Sequence, residues 1–493
     1  MVALTGLFVM LSIAAVLAWP LRRTTLWPLA LPIALAFGEA GFVQTWDMQV
    51  EVPYFPFTLR WPDIVFGALV IAWLLVRRLS PPQGGSRWAI GVDEGVVIAW
   101  LVMAAVAILL SWIDEGRIMP WITRDVLYYC YVPLGLVILQ SVFRRTGREA
   151  VFVLLRSLSV VVSALSIVYI LHMSGWSLYD RAGVQSSYSA LGEVRRDSLT
   201  FPVWACVTLP FLLWSERIGI VESVMILLQS AALAASLTRS FVLAGVLAVL
   251  LVAVLRVVNR RRPTTLLVPI GFGIAFVGGL SWWAPESLRQ SGRLLMSRFD
   301  ELSRGVASVP NVVERLAVGE RVSSFLRGWT LLMGAGFSEA ARRQTDLNLG
   351  HLLVYDSLWS LVLLTFGIVG AVVVAATLLI GLLQGVSVAF RQRREPLSLA
   401  AVGAAALLWL IARTPASSEI LSFYPMVCAF AFALVTVEAH SAWSASREVR
   451  PLLPDRREAD MMLAHLPQGS AFRAMLAVLA LTALVLIGRV VAG

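Results

Sequence analysis

The chain contains no lysine: all 40 of its strongly basic residues are arginine, set against 30 acidic ones. Any anion held here by side-chain charge must therefore meet guanidinium, a planar group that stays protonated and pairs with phosphate oxygens in bidentate fashion. Cysteine is scarce too. Cys130, Cys206 and Cys428 all sit in apolar runs, with no CxxC or metal-like spacing, and read as packing residues. HExxH, GxSxG, a Walker loop and an outside-facing DxD are missing, which removes support for metal-dependent and nucleotide-dependent chemistry. The expectation is no metal and no cofactor. Charge itself is in short supply: 14% of residues are charged and 59% hydrophobic, with a mean hydropathy of +0.81. Soluble domains carry charge on about a quarter of their residues, so the composition defines a polytopic membrane protein.

What is present is a series of apolar runs, near 2–19, 26–43, 63–76, 94–112, 125–143, 150–173, 200–215, 219–237, 240–257, 264–284, 354–388, 397–412, 418–438 and 471–491. A bilayer core needs about 20 apolar residues per helix, because every backbone polar group must be satisfied inside the span. The fold expected is all-α: one integral membrane domain over 1–493 with about 14 spans, 12–14 allowing for tilted or re-entrant segments. The first run has Arg22-Arg23 after it and no basic residues before it, which predicts a retained span and not a cleaved signal.

Arginine near helix ends stays on the cytoplasmic side. Arg22-Arg23, Arg77-Arg78, Arg144-Arg145 with Arg148, Arg260 to Arg262, and Arg391 with Arg393-Arg394 all follow odd-numbered runs and agree on one topology. In it both termini and the segments 44–62, 113–124, 174–199, 285–350 and 413–417 lie outside, and 439–470 is cytoplasmic. The net charge of +10 is then a matter of orientation and anionic headgroups, with membrane lipid and no nucleic acid as partner.

The long outside loop 285–350 breaks the rule, with nine arginines against seven acidic residues. An anionic ligand handled outside would account for it. So would a small helical layer of Arg–Glu pairs, which the spacing of Glu314, Arg315, Glu320, Arg321 and Arg327 allows. Arg315 and Arg321 are six residues apart, about 240° net around a helix, so at most one faces a given site. Arg239 lies at the outer end of an apolar span with Ser236, Thr238 and Ser240 around it; there it must snorkel, pair or meet an anion. Gly334-Ala335-Gly336 reads as a turn bringing main-chain N–H groups close to a neighbour. Asp356, flanked by Tyr355 and Ser357 at the mouth of an apolar helix, is either an anion stabilised by the helix dipole or a general base, with His351 as a second candidate base.

Together these stretches resemble the O-antigen ligase and polymerase superfamily, integral membrane glycosyltransferases of the GT-C type. ALAASLTRSFVLAGVLAVLLVAVL is similar to its T-x-S-R helix, RLAVG followed by LLMGAGF to its R-L-x-x-W … P-L-x-G-x-G segment, and YDSLWSLVLLTFGIVG to its H-N-x-Y-L … G-I-x-G segment. The resemblance covers roughly 230–385. Gly319 stands where the family has Trp, Trp329 where it has Pro, and Asp356 where ligases have histidine. That last departure points to a polymerase.

The resemblance implies an enzyme of the bacterial inner membrane with its site facing the periplasm. It would join undecaprenyl-diphosphate-linked repeat units into O-antigen or exopolysaccharide by metal-independent, inverting transfer. Donor and acceptor lipids, and a chain-length regulator protein, are the partners implied. Arg239 and Arg315 would hold the diphosphate and Asp356 would take the acceptor proton, with Arg321, His351, Tyr355, Gly334 and Gly336 contacting substrate. The competing readings are an O-antigen ligase acting on lipid A-core, and a lipid-linked oligosaccharide transporter. Transporters tend to show internal repeats and midplane charge, and neither is evident here.

Overall fold

The computed structural model describes residues 92–115, 120–146, 148–171, 202–215, 218–236, 238–259, 310–338, 358–391, 398–414 and 425–448, together with 50–51, 58–59, Phe66, Val70, Met173, Ala341 and Thr345. The described helices are α1 (Val92–Glu115), α2 (Pro120–Thr146), α3 (Arg148–Leu171), α4 (Ala205–Trp214), α5 (Ile220–Ala235), α6 (Arg239–Val258), α7 (Pro310–Phe325), α8 (Trp329–Met333), α9 (Leu358–Arg391), α10 (Leu399–Arg413) and α11 (Pro425–Glu448). A two-residue antiparallel ladder, β1 (Val50–Glu51) with β2 (Thr58–Leu59), is the one extended pairing among the described residues. Nine of the apolar runs coincide with α1 to α6 and α9 to α11. The runs 2–19, 26–43, 264–284 and 471–491 lie outside the described residues, and of 63–76 only Phe66 and Val70 are described.

The exposed faces of the helices in the apolar runs are largely apolar, the reverse of a soluble protein. On α3, Val153, Val160 and Ile167 recur every seven residues along the exposed side, while Leu154, Leu155, Leu158, Val162 and Tyr169 pack inward. Among the described residues, four helical stretches, Gly95–Asp114, Val151–Leu171, Ser240–Val258 and Leu358–Arg391, are long and apolar enough to cross a bilayer. Length, composition and an apolar exterior together make this a helical membrane protein.

At the centre stands α10, LAAVGAAALLWLIAR, which touches α4, α6, α9 and α11 and is buried on nearly every side. Its small residues permit this, because lipid offers no hydrophobic drive between helices and close backbone approach must supply dispersion instead. A Cβ on Gly403 would come 2.6 Å from the Ala431 carbonyl oxygen of α11. The outer helices are joined by polar contacts: Gln140 Nε2 donates to Thr436 Oγ1 (2.7 Å), Thr208 Oγ1 to Gln229 Oε1 (2.9 Å), and Gln229 Nε2 to Ser163 Oγ (3.1 Å).

The contacts also sort the helix ends. One end of the bundle gathers the C-termini of α2, α4, α6, α9 and α11 with the N-termini of α3, α5 and α10. There Glu438 of α11 is 2% exposed. It accepts from Ser398 Oγ (2.9 Å) and the Ala400 N–H at the start of α10, and pairs with Arg148 of α3 (3.1 Å). Asn259 Nδ2 donates to the Ala389 carbonyl (3.2 Å), and the buried Arg256 donates to the Leu213 and Ser215 carbonyls. The opposite end gathers the start of α6, the start of α9 and the close of α10. Of the arginines in the expected clusters, Arg144, Arg148 and Arg391 are among the described residues and belong to helix ends gathered at the first end.

Candidate functional site at the opposite bundle end

The organising feature of this end is a break in α9. At Gly367 the backbone leaves the helix (φ 64°, ψ −163°), although the sequence runs on without proline or charge. The break bends the chain sharply. The Leu358 N–H donates to the Thr414 carbonyl (3.0 Å), and Gly385 abuts Ala404 and Ala400 of α10. Those α9 positions would lie about 40 Å apart along an unbroken helix, whereas their neighbours on α10 are only about 15–21 Å apart. The first half, Leu358–Phe366, therefore crosses the bundle end while the second half descends beside α10.

A helix break strands carbonyls, and in an apolar setting they need donors. The Gly334-Ala335-Gly336 turn supplies them. Ala335 N–H donates to the Leu364 carbonyl (2.7 Å) and Gly336 N–H to the Thr365 carbonyl (3.0 Å), while Gly334 N–H closes α8 onto the Thr330 carbonyl (2.9 Å). Phe337 N–H donates to Ser111 Oγ (2.6 Å), and Ser111 in turn donates to the Ala107 carbonyl of α1 (2.7 Å). All four consecutive N–H groups are thus engaged inside the protein. The close neighbour that the turn approaches is the α9 break. Phe337, Phe366 and Tyr129 enclose it, with ring centroids 4.8–6.0 Å apart.

Over the crossing half of α9 lies α7. Val318, Val322 and Leu326 are buried with Leu364 and Ala341, and Gly319 faces Ser360. By helical register, position 315 falls on the same face as 318, 319 and 322, the face turned to α9. Arg321 is exposed on the other side, where its Nε donates to the Thr345 carbonyl (3.4 Å).

Arg239 is the first residue of α6. The hydroxyls expected to ring it serve the turn before it: Ser236 Oγ donates to the Leu233 carbonyl (2.7 Å) and Thr238 Oγ1 to the Ser236 carbonyl (3.0 Å). A residue that the sequence reading passed over stands beside this helix start. Arg413, 4% exposed in the last turn of α10, has its guanidinium carbon 3.4 Å from the centroid of the Phe241 ring of α6. The signal was available, since Arg413 ends an apolar run just as Arg239 begins one. Trp359 Nε1 bonds Thr414 Oγ1 (3.1 Å), so α6, α10 and the start of α9 meet around these residues. His351, Tyr355 and Asp356 lie outside the described residues; the described chain resumes at Leu358.

No family model matches the chain, and no curated protein or solved structure shows significant similarity to it. The class is given by the fold alone: a helical membrane protein whose one end is capped by a crossing half-helix and an overlying helix.

Proposed function

We propose that this chain is a lipid-linked glycan polymerase, extending a polysaccharide by transferring the growing chain from a polyprenyl diphosphate to the next lipid-linked repeat unit. One observation carries the reading: Arg239 opens α6 at the same bundle end at which the buried Arg413 closes α10. A helix N-terminus is already positive, and Arg239 adds charge of the same sign where carboxylates are ordinarily favoured. Arg413 stacks on the same helix one turn in, and position 315 faces the end from α7. Such a concentration of cations stabilises charge on a departing diphosphate.

In the proposed step the acceptor hydroxyl oxygen attacks the anomeric carbon, and the glycosidic oxygen leaves on the diphosphate with the bonding pair. Asp356 takes the acceptor proton, with His351 as the alternative base. Attack opposite the leaving group inverts the anomeric centre. Arg239 and Arg315 hold the diphosphate and Tyr355 serves the sugar side, whereas Arg321, exposed and donating to the Thr345 carbonyl, takes no part in the step. Gly334 and Gly336 contribute by holding the crossing half-helix in place. The site faces the periplasm in this reading, and a chain-length regulator is an additional partner.

The test is purified protein in vesicles with lipid-linked repeat units and no nucleotide or metal. A ladder of glycan lengths is the expected product, abolished by Arg239→Ala, Arg315→Ala or Asp356→Ala in protein that still inserts. Product only on addition of lipid A-core makes the chain a ligase. Translocation of intact lipid-linked units without glycan growth overturns both.

A further inference from the structure

The segment 285–350 is polar in composition, yet its described part ends in an apolar surface. On α8, Trp329, Leu331 and Leu332 are all exposed, and only Met333 of this short helix is buried. Three large apolar side chains within four residues facing water would be unusual for an aqueous loop. Their position gives a reason for the exposure. Leu332 presents its carbonyl to Gly367 at the α9 break, and directly beyond the break begins an exposed apolar stripe of α9: Ile368, Val372, Leu379 and Leu383. The α8 surface is thus continuous with a face that spans the apolar length of the bundle.

A second helix fixes the same level. Gly336, three residues past α8, lies against Ala107 and Ser111 of α1, and the next residues of α1, Trp112 and Ile113, are exposed and apolar before Asp114 ends the run. The α8 surface therefore stands at the level where α1 passes from apolar to charged. Charge lies close by in the same segment: Glu320, Arg321 and Arg327 are exposed on α7 and the α7–α8 turn. Exposed apolar residues with tryptophan, closely preceded by exposed arginine, is the composition of an element lying in a bilayer interface.

We propose that α8 is seated in the headgroup–acyl boundary of the bilayer, with Trp329, Leu331 and Leu332 against lipid chains and Arg321 and Arg327 at headgroup level. The occupant of this surface is the surrounding membrane lipid. The crossing half of α9 and the overlying α7 are then held at the membrane surface and not raised above it. The inference rests on the chain being a membrane protein and is independent of the proposed reaction.

The test uses full-length protein carrying Cys130→Ser, with a nitroxide attached to Leu331→Cys and reconstituted in phosphatidylethanolamine–phosphatidylglycerol vesicles. Lipid-facing Leu379→Cys and exposed Ser323→Cys serve as references. The Leu331 label is expected to collide with oxygen in preference to a water-soluble nickel chelate, as Leu379 does, with the ratio reversed at Ser323. Trp329→Cys gives an independent second reading on the same helix. A Leu331 or Trp329 label with the chelate accessibility of Ser323 overturns the proposal. No glycosyl transfer enters the measurement, so its failure is distinct from failure of the polymerase reading.

Discussion

Gly334 and Gly367 leave no room for a side chain on each other. A Cβ built on Gly334 would come within 2.5 Å of the Phe366 nitrogen, and one built on Gly367 within 2.5 Å of the Gly334 nitrogen. Both residues also hold positive φ, 74° and 64°. The docking of the Gly-Ala-Gly turn into the α9 break depends on this pair.

Gly334→Ala and Gly367→Ala should each be costly. An L side chain in left-handed backbone costs about 1–2 kcal/mol, and forced repacking adds about 1–3 kcal/mol. Gly328 is the control: its φ is 57° but nothing lies within 4 Å of a Cβ there, so Gly328→Ala should show only the first cost. Thermal unfolding in detergent checks the order. Equal shifts for all three would show that the turn is not seated in the break.

Glu438 predicts a different hierarchy. It is buried with the α10 N-terminus and Arg148, so Glu438→Ala strands donors and a cation and should cost about 3–5 kcal/mol. Arg148 is a third exposed, and Arg148→Ala should cost about 1 kcal/mol or less, because solvent screens its loss. A double-mutant cycle on these two residues measures their coupling. A coupling of zero would mean that the carboxylate serves α10 alone.

Gln229→Leu should be mild despite complete burial. Thr208 Oγ1 keeps a second acceptor in the Trp204 carbonyl (3.2 Å), and interhelical hydrogen bonds in membranes contribute only about 0.6–1.7 kcal/mol. Detergent unfolding should show a small loss, well below that of Glu438→Ala.

The two arginines of α7 separate the functional reading from a general charge effect. Arg321→Ala removes an exposed cation on the far face and should leave most glycan synthesis intact, whereas Arg315→Ala should abolish it. Comparable losses would make α7 an unspecific basic surface.

Much of the bundle was legible because lipid imposes a length and an apolar composition on each helix, so α1 to α6 and α9 to α11 follow the apolar runs closely. The break at Gly367 was not. A stretch such as LVLLTFGIVG reads as continuous helix because glycine is common in membrane spans, and what opens this one is a turn about 30 residues upstream in sequence. The same long-range pairing gave Gly334-Ala335-Gly336 its neighbour, which spacing alone could not name. The helical spacing of residues 314 to 327 falls on α7 and the turn that follows it. Arg413 and Glu438 were each readable as lone charges at the ends of apolar runs, but the partners that make them informative, Phe241 and the start of α10, are set by packing.

The burial of α10 bears on how the protein is made. Its 15 residues span about 22 Å, short of the ~30 Å hydrocarbon core. Ser398 covers part of its N-terminus, but the carboxylate that completes the cap comes from Glu438, 40 residues later in translation. Alone in the translocation machinery, α10 would be both too short and incompletely capped. It completes its hydrogen bonding only against Glu438 of α11, so the two helices are expected to enter the bilayer as a pair.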